Sequence, residues 1–461
     1  MNSDMDLVRE AFHYRSRFAG STLVFKIDFP VTCEPAFPSM AKDLALLAQN
    51  GFRVVIVPGA KEWIDSVLQE NSIATRYVPS PDYGSIRITG AKAMPFVEMA
   101  AFHVATRFMT SLSASRCDSV VGNFVRARGL GVLDGIDMEY TGKVEKIRIK
   151  PIGKILDSGM VSILPSIGWS SSGKPYNVPS DEIALAASGA LGAVKLFIIS
   201  SGKNLESLRL PQNTETPIKT GKQNTQKGRS MRLTPKEAET ILELNRVIEK
   251  TPAGKTGEPE YNPAAKGVSE LKLAIAAIKA GVERVHIIDG REEGAILGEL
   301  FSNLGAGVMV YADEYEAIRP LETQDIPDVL RIMEPLMSQG ILVRRSAESI
   351  QEKKEDYWVY GIDGQAHASG ALHLWGEQGE IAAIAVDNAY TDMKLGSRIV
   401  RFLINKAAKE GLRRVFVFTT QTQDWFENLG FKESTIESLP EERRKSYNPE
   451  RKSKVYSLEI K

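Results

Sequence analysis

Leu23-Val-Phe-Lys-Ile-Asp-Phe29, a helix-patterned stretch over residues 39–50, and Arg53-Val-Val-Ile-Val-Pro58 decide the fold of the first two-thirds of this chain. Two short apolar runs flank a segment with apolar residues at helical spacing, which reads as strand, helix and a buried strand closing at Gly59. Strands joined through a helix run parallel, because an antiparallel pair needs only a hairpin. The alternation continues outward, with strands at 161–165, 193–200 and 285–288 and helices at 179–190, 235–249 and 268–280. It predicts one large α/β domain, a mainly parallel sheet wrapped by helices. Two stretches break the rhythm: 201–232, polar and rich in Lys, Thr, Gln and Asn, and 250–266, rich in Gly and Pro. Both read as long loops on the face where strand ends meet ligands.

The pattern changes near residue 318. From there the order is a helix (326–339), three strands in succession (356–362, 368–375, 379–386), a long helix (396–410), a strand (414–419) and a short helix (424–429). A strand meander followed by one long helix is a different domain. We therefore expect one unit over 1–312 and a second over 318–461.

Lys plus Arg equals Asp plus Glu, 58 each, so no broad positive field is available for nucleic acid or an anionic membrane. The two cysteines, Cys33 and Cys117, and the five scattered histidines suggest neither a disulfide framework nor a metal centre, and suit a reducing cytoplasm. No apolar run approaches the eighteen or so residues of a membrane span, and the first residues are acidic, unlike a secretion signal.

Six cations lie between Arg443 and Lys454, interleaved with Tyr447, Asn448 and Ser453 and running into an apolar terminal strand. A charge run is most often a solvated face. This one, leading directly into a strand, also suits a floor for anions, and a small substrate bearing carboxylates is the anion it would hold.

Three groups of motifs give a family resemblance. Residues 357–365 (Tyr-Trp-Val-Tyr-Gly-Ile-Asp-Gly-Gln), Ala368-Ser-Gly-Ala-Leu-His-Leu374, Gly379-Glu-Ile-Ala-Ala-Ile-Ala-Val-Asp-Asn-Ala-Tyr390, Val415-Phe-Val-Phe-Thr-Thr420 and Trp425-Phe-Glu-Asn-Leu-Gly-Phe431 resemble the GNAT acetyltransferase fold. Gly122-Asn-Phe-Val-Arg-Ala-Arg128, residues 134–142 and Tyr176-Asn-Val-Pro-Ser-Asp-Glu-Ile-Ala184 resemble the amino-acid kinase fold. With Gly340-Ile-Leu-Val-Arg-Arg-Ser346, residues 439–455 and residues 286–310, nearly the whole chain resembles the bacterial N-acetylglutamate synthases. The resemblance implies transfer of acetyl from acetyl-CoA to the α-amine of L-glutamate, without a metal, in a protein that self-associates. An acetyltransferase for another amino acid, or a catalytically silent arginine-binding regulator, is the alternative.

The same resemblance implies site residues. Arg344, with Arg345, would hold one substrate carboxylate and Arg451 with Ser453 the other, since planar guanidinium groups grip carboxylates bidentately. Arg443 and Arg444 would support them. Glu380 would be the base that takes a proton from the substrate ammonium, and Thr419, with Thr420 behind it, would stand near the departing thiolate. As residues alone, Glu380 could equally be an exposed strand-end carboxylate and Thr419 a core strand former. Backbone N–H groups of Ile384 to Val386 would meet the oxyanion. The pyrophosphate of CoA would lie against Lys394 and Gly396, although Thr391-Asp392-Met393-Lys394-Leu395-Gly396 lacks the family's leading cation and first glycine.

In the first unit, Lys26 and Asp181 match kinase positions, but Asp28 and Phe29 stand where kinases carry glycines, Pro58-Gly59-Ala60-Lys61 replaces a His-Gly-Gly turn, and the second lysine before a helix at 268 is out of register. No phosphoryl transfer is expected. Residues 286–307 and the segment 11–18 resemble instead the family's arginine-inhibition site, which implies Tyr14, His286, Glu299 and Gly305 as the lining of an L-arginine effector pocket.

Overall fold

The computed structural model describes residues 18–80, 84–210, 231–246, 262–301, 307–312, 316–362, 365–388, 390 and 395–460. The chain divides into two compact units, 1–312 and 313–461.

In the first unit the opening motif folds as its pattern dictates. Strand β1 (Thr22–Ile27) and strand β2 (Arg53–Pro58) pair in parallel through helix α1 (Phe37–Gln49). β1 ends at Ile27, two residues before the expected Phe29, because Phe29–Cys33 turns into a 3-10 helix with Pro30 in its first turn. The sheet is completed by β3 (Ser119–Val121), β4 (Val161–Ile163), β5 (Lys195–Ser200), β6 (Met231–Leu233), β7 (Arg284–Asp289) and β8 (Val308–Tyr311), in the order β6-β8-β7-β5-β1-β2-β4-β3. Only β7 and β8 pair antiparallel; every other neighbour is parallel. Central strands β1 and β5 are buried along their whole length, as a sheet covered on both faces requires.

Helix α2 (Met94–Ala114) has no counterpart in the sequence reading. Its buried residues, Val97, Ala100, Ala101, Val104, Ala105, Phe108 and Leu112, recur at helical spacing, but Met99 and Phe102 stay exposed, and these extra apolar residues blur the stripe in the sequence. Helix α3 spans Ser180–Ala190. Helix α4 runs over Pro263–Lys279, five residues earlier than its pattern suggested. Asn262 caps it, its Oδ1 accepting from the N–H groups of Ala264 at 3.1 Å and Ala265 at 3.2 Å, with Pro263 in the first position. The expected loop at 250–266 therefore ends at Asn262, and the bodies of both interrupting stretches, 211–230 and 247–261, lie outside the described residues.

The second unit is one seven-stranded sheet: β9 (Glu316–Pro320), β10 (Tyr357–Ile362), β11 (Gln365–Trp375), β12 (Gln378–Val386), β13 (Arg414–Thr419), β14 (Lys432–Ser434) and β15 (Lys454–Glu459), in the order β9-β10-β11-β12-β13-β15-β14. Helix α5 (Ile326–Ser338) packs on one face and α6 (Leu395–Lys409) on the other. Among the described residues no helix is long and apolar enough to cross a membrane.

β12 breaks its own alternation. Ala382 faces Ala371 on β11 and Ala385 faces Ser369, so two residues of β12 stand against Gly370 alone, and Ala383 adopts φ 57°. One extra residue reverses the phase of every side chain beyond it. Glu380 therefore points to one face, while Ile384 and Val386 point to the other and pack on α6 with Ile381. Ser369 Oγ seals the bulge by donating to the Ala383 carbonyl at 3.1 Å.

Candidate functional site

β12 and β13 pair in parallel only over Gln378–Glu380 with Arg414–Phe416. β12 continues to Val386 and β13 to Thr419, so the two strands part after Glu380. The backbone of Ile384 to Val386 thus borders an opening in the middle of the sheet. At its far end Gly396, on the first turn of α6, sits beside Val386 and Trp425; a β-carbon on it would lie 3.4 Å from each. A fifteen-residue helix thus begins where β12 ends. Lys394 lies outside the described residues.

Glu380 is buried, not an exposed strand-end acid. Arg443, from the short helix α7 (Glu441–Lys445), donates to it twice, Nε to Oε2 at 2.6 Å and Nη2 to Oε1 at 3.0 Å. Trp375 Nε1 donates to Oε2 at 3.2 Å. A carboxylate offers about four lone-pair sites, and these bonds occupy three, leaving the open one on Oε1. The guanidinium lies 4.5 Å over the Phe418 ring and 5.8 Å from that of Trp375, both of which favour a cation on their faces. Arg443, which sequence reading gave only a supporting part, is thus the main partner of the expected base.

The two basic segments converge. Arg451 Nη2 donates to the carbonyls of Gly340 and Ile341, 3.1 Å each. Gly340, with φ 72°, ends α5 in the left-handed conformation that glycine accepts without strain, and so turns the chain into the stretch carrying Arg344 and Arg345. Arg344 is exposed. Arg345 is half-buried: its Nε donates to the Tyr357 hydroxyl at 3.0 Å and its Nη1 to the Val343 carbonyl at 3.0 Å. Ser453 follows Arg451 across Lys452, whose φ of 49° bends the backbone between them, and the Tyr447 hydroxyl fixes the Ser453 carbonyl at 3.2 Å. The basic run is therefore neither a tail nor a uniform solvated face.

Thr419 ends β13, and its Oγ1 accepts the N–H of Thr422 at 3.0 Å while sharing a hydrogen with Thr422 Oγ1 at 2.9 Å. Thr420 Oγ1 is buried with no hydrogen-bond partner among the described residues.

In the first unit, His286 on β7 and Glu299 in the helix Ala295–Phe301 meet at 2.9 Å, with side chains 2% and 3% exposed. Burial pushes the imidazole down to about 4; the Glu299 hydrogen bond opposes that shift and Lys195 adds to it. His286 closes a stack of three rings, 4.8 Å from Phe197, which lies 4.7 Å from Phe25. Of the four expected effector residues, His286 and Glu299 come together, as a buried pair. Tyr14 and Gly305 lie outside the described residues.

Lys26, Asp28, Asp181 and Lys266 form a second cluster, in which Lys26 and Asp28 are buried and Asp181 and Lys266 partly exposed. Asp28 reaches Lys26 through Oδ1 at 2.6 Å and Lys266 through Oδ2 at 2.7 Å, and Lys26 also meets Asp181 at 2.8 Å. Lys266, which linear spacing placed out of register, is brought in by the earlier start of α4. Burial alone would raise the Asp28 carboxyl, but the two lysines outweigh it and hold it well below the usual range. Burial would lower Lys26, and Asp181 and Asp28 hold it above its ordinary value instead. Gly59 permits the arrangement, since a β-carbon there would fall 2.6 Å from Asp28 Oδ1. Among the described residues no group of three or more His, Cys, Asp or Glu side chains could hold a metal ion.

Residues 27–205 match the Amino acid kinase family and residues 326–431 the Acetyltransferase (GNAT) family. An amino-acid acetyltransferase from Mannheimia succiniciproducens is 31% identical over 454 residues, covering 97% of this chain and 96% of its own. One from Salmonella typhimurium is 31% identical over 463 residues, covering 98% and 97%. A crystal structure of N-acetylglutamate synthase from Neisseria gonorrhoeae complexed with coenzyme A and L-arginine is similar with a TM-score of 0.81 at 28% identity, covering 99% of both chains. The same synthase complexed with coenzyme A and N-acetyl-glutamate gives 0.59 at 28% identity, covering 100% of both. The resemblance and the fold class read from the sequence are borne out.

Proposed function

Because the chain belongs to the amino-acid acetyltransferase family, we propose that it transfers acetyl from acetyl-CoA to the α-amine of L-glutamate, giving N-acetyl-L-glutamate, the first step of arginine biosynthesis. The observation that carries this reading is the bond from Arg451 to the Gly340 and Ile341 carbonyls, which draws two distant basic segments of the second unit together. Two carboxylates on one substrate call for two guanidinium groups, and Arg344 and Arg451 are the pair we assign, with Arg345 and Ser453 beside them.

The thioester would enter the opening between β12 and β13, with N–H groups of Ile384 and Val386 facing the oxyanion and the start of α6, at Gly396 and Lys394, facing the pyrophosphate. CoA supplies the activated acetyl group. Glu380 would accept the ammonium proton, directly or through water, on the open lone pair of Oε1. Thr419, fixed by Thr422, would give a proton to the thiolate, with the unpartnered Thr420 hydroxyl behind it. The relatives solved with coenzyme A, N-acetyl-glutamate and L-arginine support each ligand in turn.

L-Arginine would bind the first unit at His286 and Glu299, with Tyr14 and Gly305, and change acetyl transfer. We assign no phosphoryl transfer to that unit, because the Asp28 carboxylate fills the space between Lys26 and Lys266. The protein would act in the cytoplasm as a homo-oligomer. Thiol release from acetyl-CoA, measured with L-glutamate and with other amino acids, and repeated with L-arginine, tests the reading. Glutamate-dependent release that Arg451→Ala weakens by raising KM is the expected result. Release with another amino acid alone, or arginine binding without turnover, overturns it.

A further inference from the structure

We infer that His373, oriented by Asp356, is the positioning residue through which the proton collected at Glu380 leaves the site; the inference rests on the acetyl transfer proposed above. When a C–N bond replaces the C–S bond of the thioester, the ammonium nitrogen gives up two protons. One ends on the thiol of CoA and the other must reach solvent. Glu380 cannot pass it to Arg443 or to Trp375, because a guanidinium is already fully protonated and an indole N–H only donates.

The third neighbour can take it. His373 stands directly opposite Glu380 in the antiparallel register of β11 and β12, so the two side chains share a face with β-carbons about 5 Å apart. Imidazole both accepts and gives a proton near neutral pH. His373 Nδ1 lies 2.6 Å from Asp356 Oδ2, a contact that settles the hydrogen on Nδ1 and turns Nε2 into the acceptor. Side-chain exposure rises along the series, 9% at Glu380, 14% at His373 and 33% at Asp356, so the proton moves outward at each step. The remaining groups on this side do not interrupt it. Tyr357 presents its ring edge to the imidazole at 6.0 Å with its hydroxyl bonded to Arg345, and Arg443 is spent on Glu380.

The test uses full-length protein carrying His373→Gln or Asp356→Asn, with thiol release followed at saturating acetyl-CoA and L-glutamate from pH 6 to 9. We expect kcat of His373→Gln to fall about 10-fold in dilute buffer with KM for glutamate unchanged, the solvent deuterium isotope effect to grow, and added imidazole to restore most of the rate. Asp356→Asn moves the same readouts less far. Rates within about two-fold of wild type for both variants, or a loss that imidazole does not repair and that leaves the isotope effect unaltered, overturns the inference. Where His373→Gln does not fold, Asp356→Asn at its partly exposed position carries the same test. Wild-type protein that releases no thiol with glutamate brings down the acetyl-transfer reading and this inference together, whereas normal wild-type turnover with indifferent variants removes this inference alone.

Discussion

His286 is buried and neutral, and that state has a measurable cost in acid. Its folded-state pKa is about 4 against an ordinary 6.5, because burial penalises the imidazolium more than Glu299 rewards it. At pH 5.5 an ordinary histidine is mostly protonated and His286 mostly neutral. The sign follows from proton counting. Between pH 6.5 and 4 the unfolded chain binds the proton that the fold refuses, so stability rises with pH across that window. Above pH 6.5 His286 contributes no pH dependence. By pH 5.5 it has cost the first unit on the order of 1 kcal/mol, and below pH 4 about 3 kcal/mol.

With only five histidines in the chain, the imidazole resonances are few enough to follow by NMR, and the one missing from His286→Gln is the one to titrate. We expect it to stay neutral to pH 5. Lys195→Met should move its midpoint up and Glu299→Gln should move it down, since the lysine opposes the imidazolium and the carboxylate supports it. L-Arginine engaging Glu299 would act like the second change. A midpoint near 6.5 with the fold intact refutes burial as the dominant influence, and with it the picture of His286 as a packed, neutral residue of the proposed effector site.

Asp28→Asn should destabilise the first unit by about 3 kcal/mol, since it strips Lys266 of its ion-pair partner and leaves Lys26 with Asp181 alone; hydrogen exchange of β1 amides reads the loss, and phosphate or sulfate at tens of millimolar should stabilise the variant more than the wild type. A variant as stable as wild type would show the charge cluster to be incidental. Arg443→Met and Glu380→Gln, alone and together, should couple by about 2–4 kcal/mol in hydrogen exchange of β12 amides, because each single change strands a mostly buried polar group. Coupling below about 0.5 kcal/mol would mean that the bidentate pair does not persist in solution.

What the sequence discloses depends on how local the determining interaction is. Alternating apolar runs are local, and they located the central strands of both units to within a few residues. The start of α4 was local too: Asn262-Pro263 is a strong helix-opening signal, and giving the Gly- and Pro-rich stretch before it more weight hid both the helix start and Lys266. The bulge at Ala383 left a trace as well, since Ile381, Ile384 and Val386 all pack on α6 and no unbroken strand puts positions three apart on one face. Arg443 on Glu380 left none. Sixty-three positions separate them, and nothing in either neighbourhood specifies the other. His373 and Asp356 likewise meet only because β10 and β11 pair in the register that sets Tyr357 against Ala371. Family resemblance supplied Arg344, Arg451 and Glu380, but it is silent on pairs such as these.

Asp28 and Glu380 show why two buried, ion-paired carboxylates of one chain take different parts. Asp28 is enclosed between two ammonium groups, one on each oxygen, and its attraction to both keeps it ionised. Protonating it would strip Lys266 of its ion-pair partner and leave Lys26 with Asp181 alone, so it suits a fixed counter-charge and no proton transfer. Glu380 meets a single cation, whose two bonds spread over both oxygens, and its third bond comes from a neutral indole. A proton arriving on the open lone pair of Oε1 displaces none of these bonds, so Arg443 and Trp375 continue to hold the carboxyl group in place. The sheet opens immediately beyond it, and a histidine faces it across the neighbouring strand. Chemistry at a buried carboxylate thus depends less on burial than on which oxygen keeps a lone pair and what that lone pair can reach.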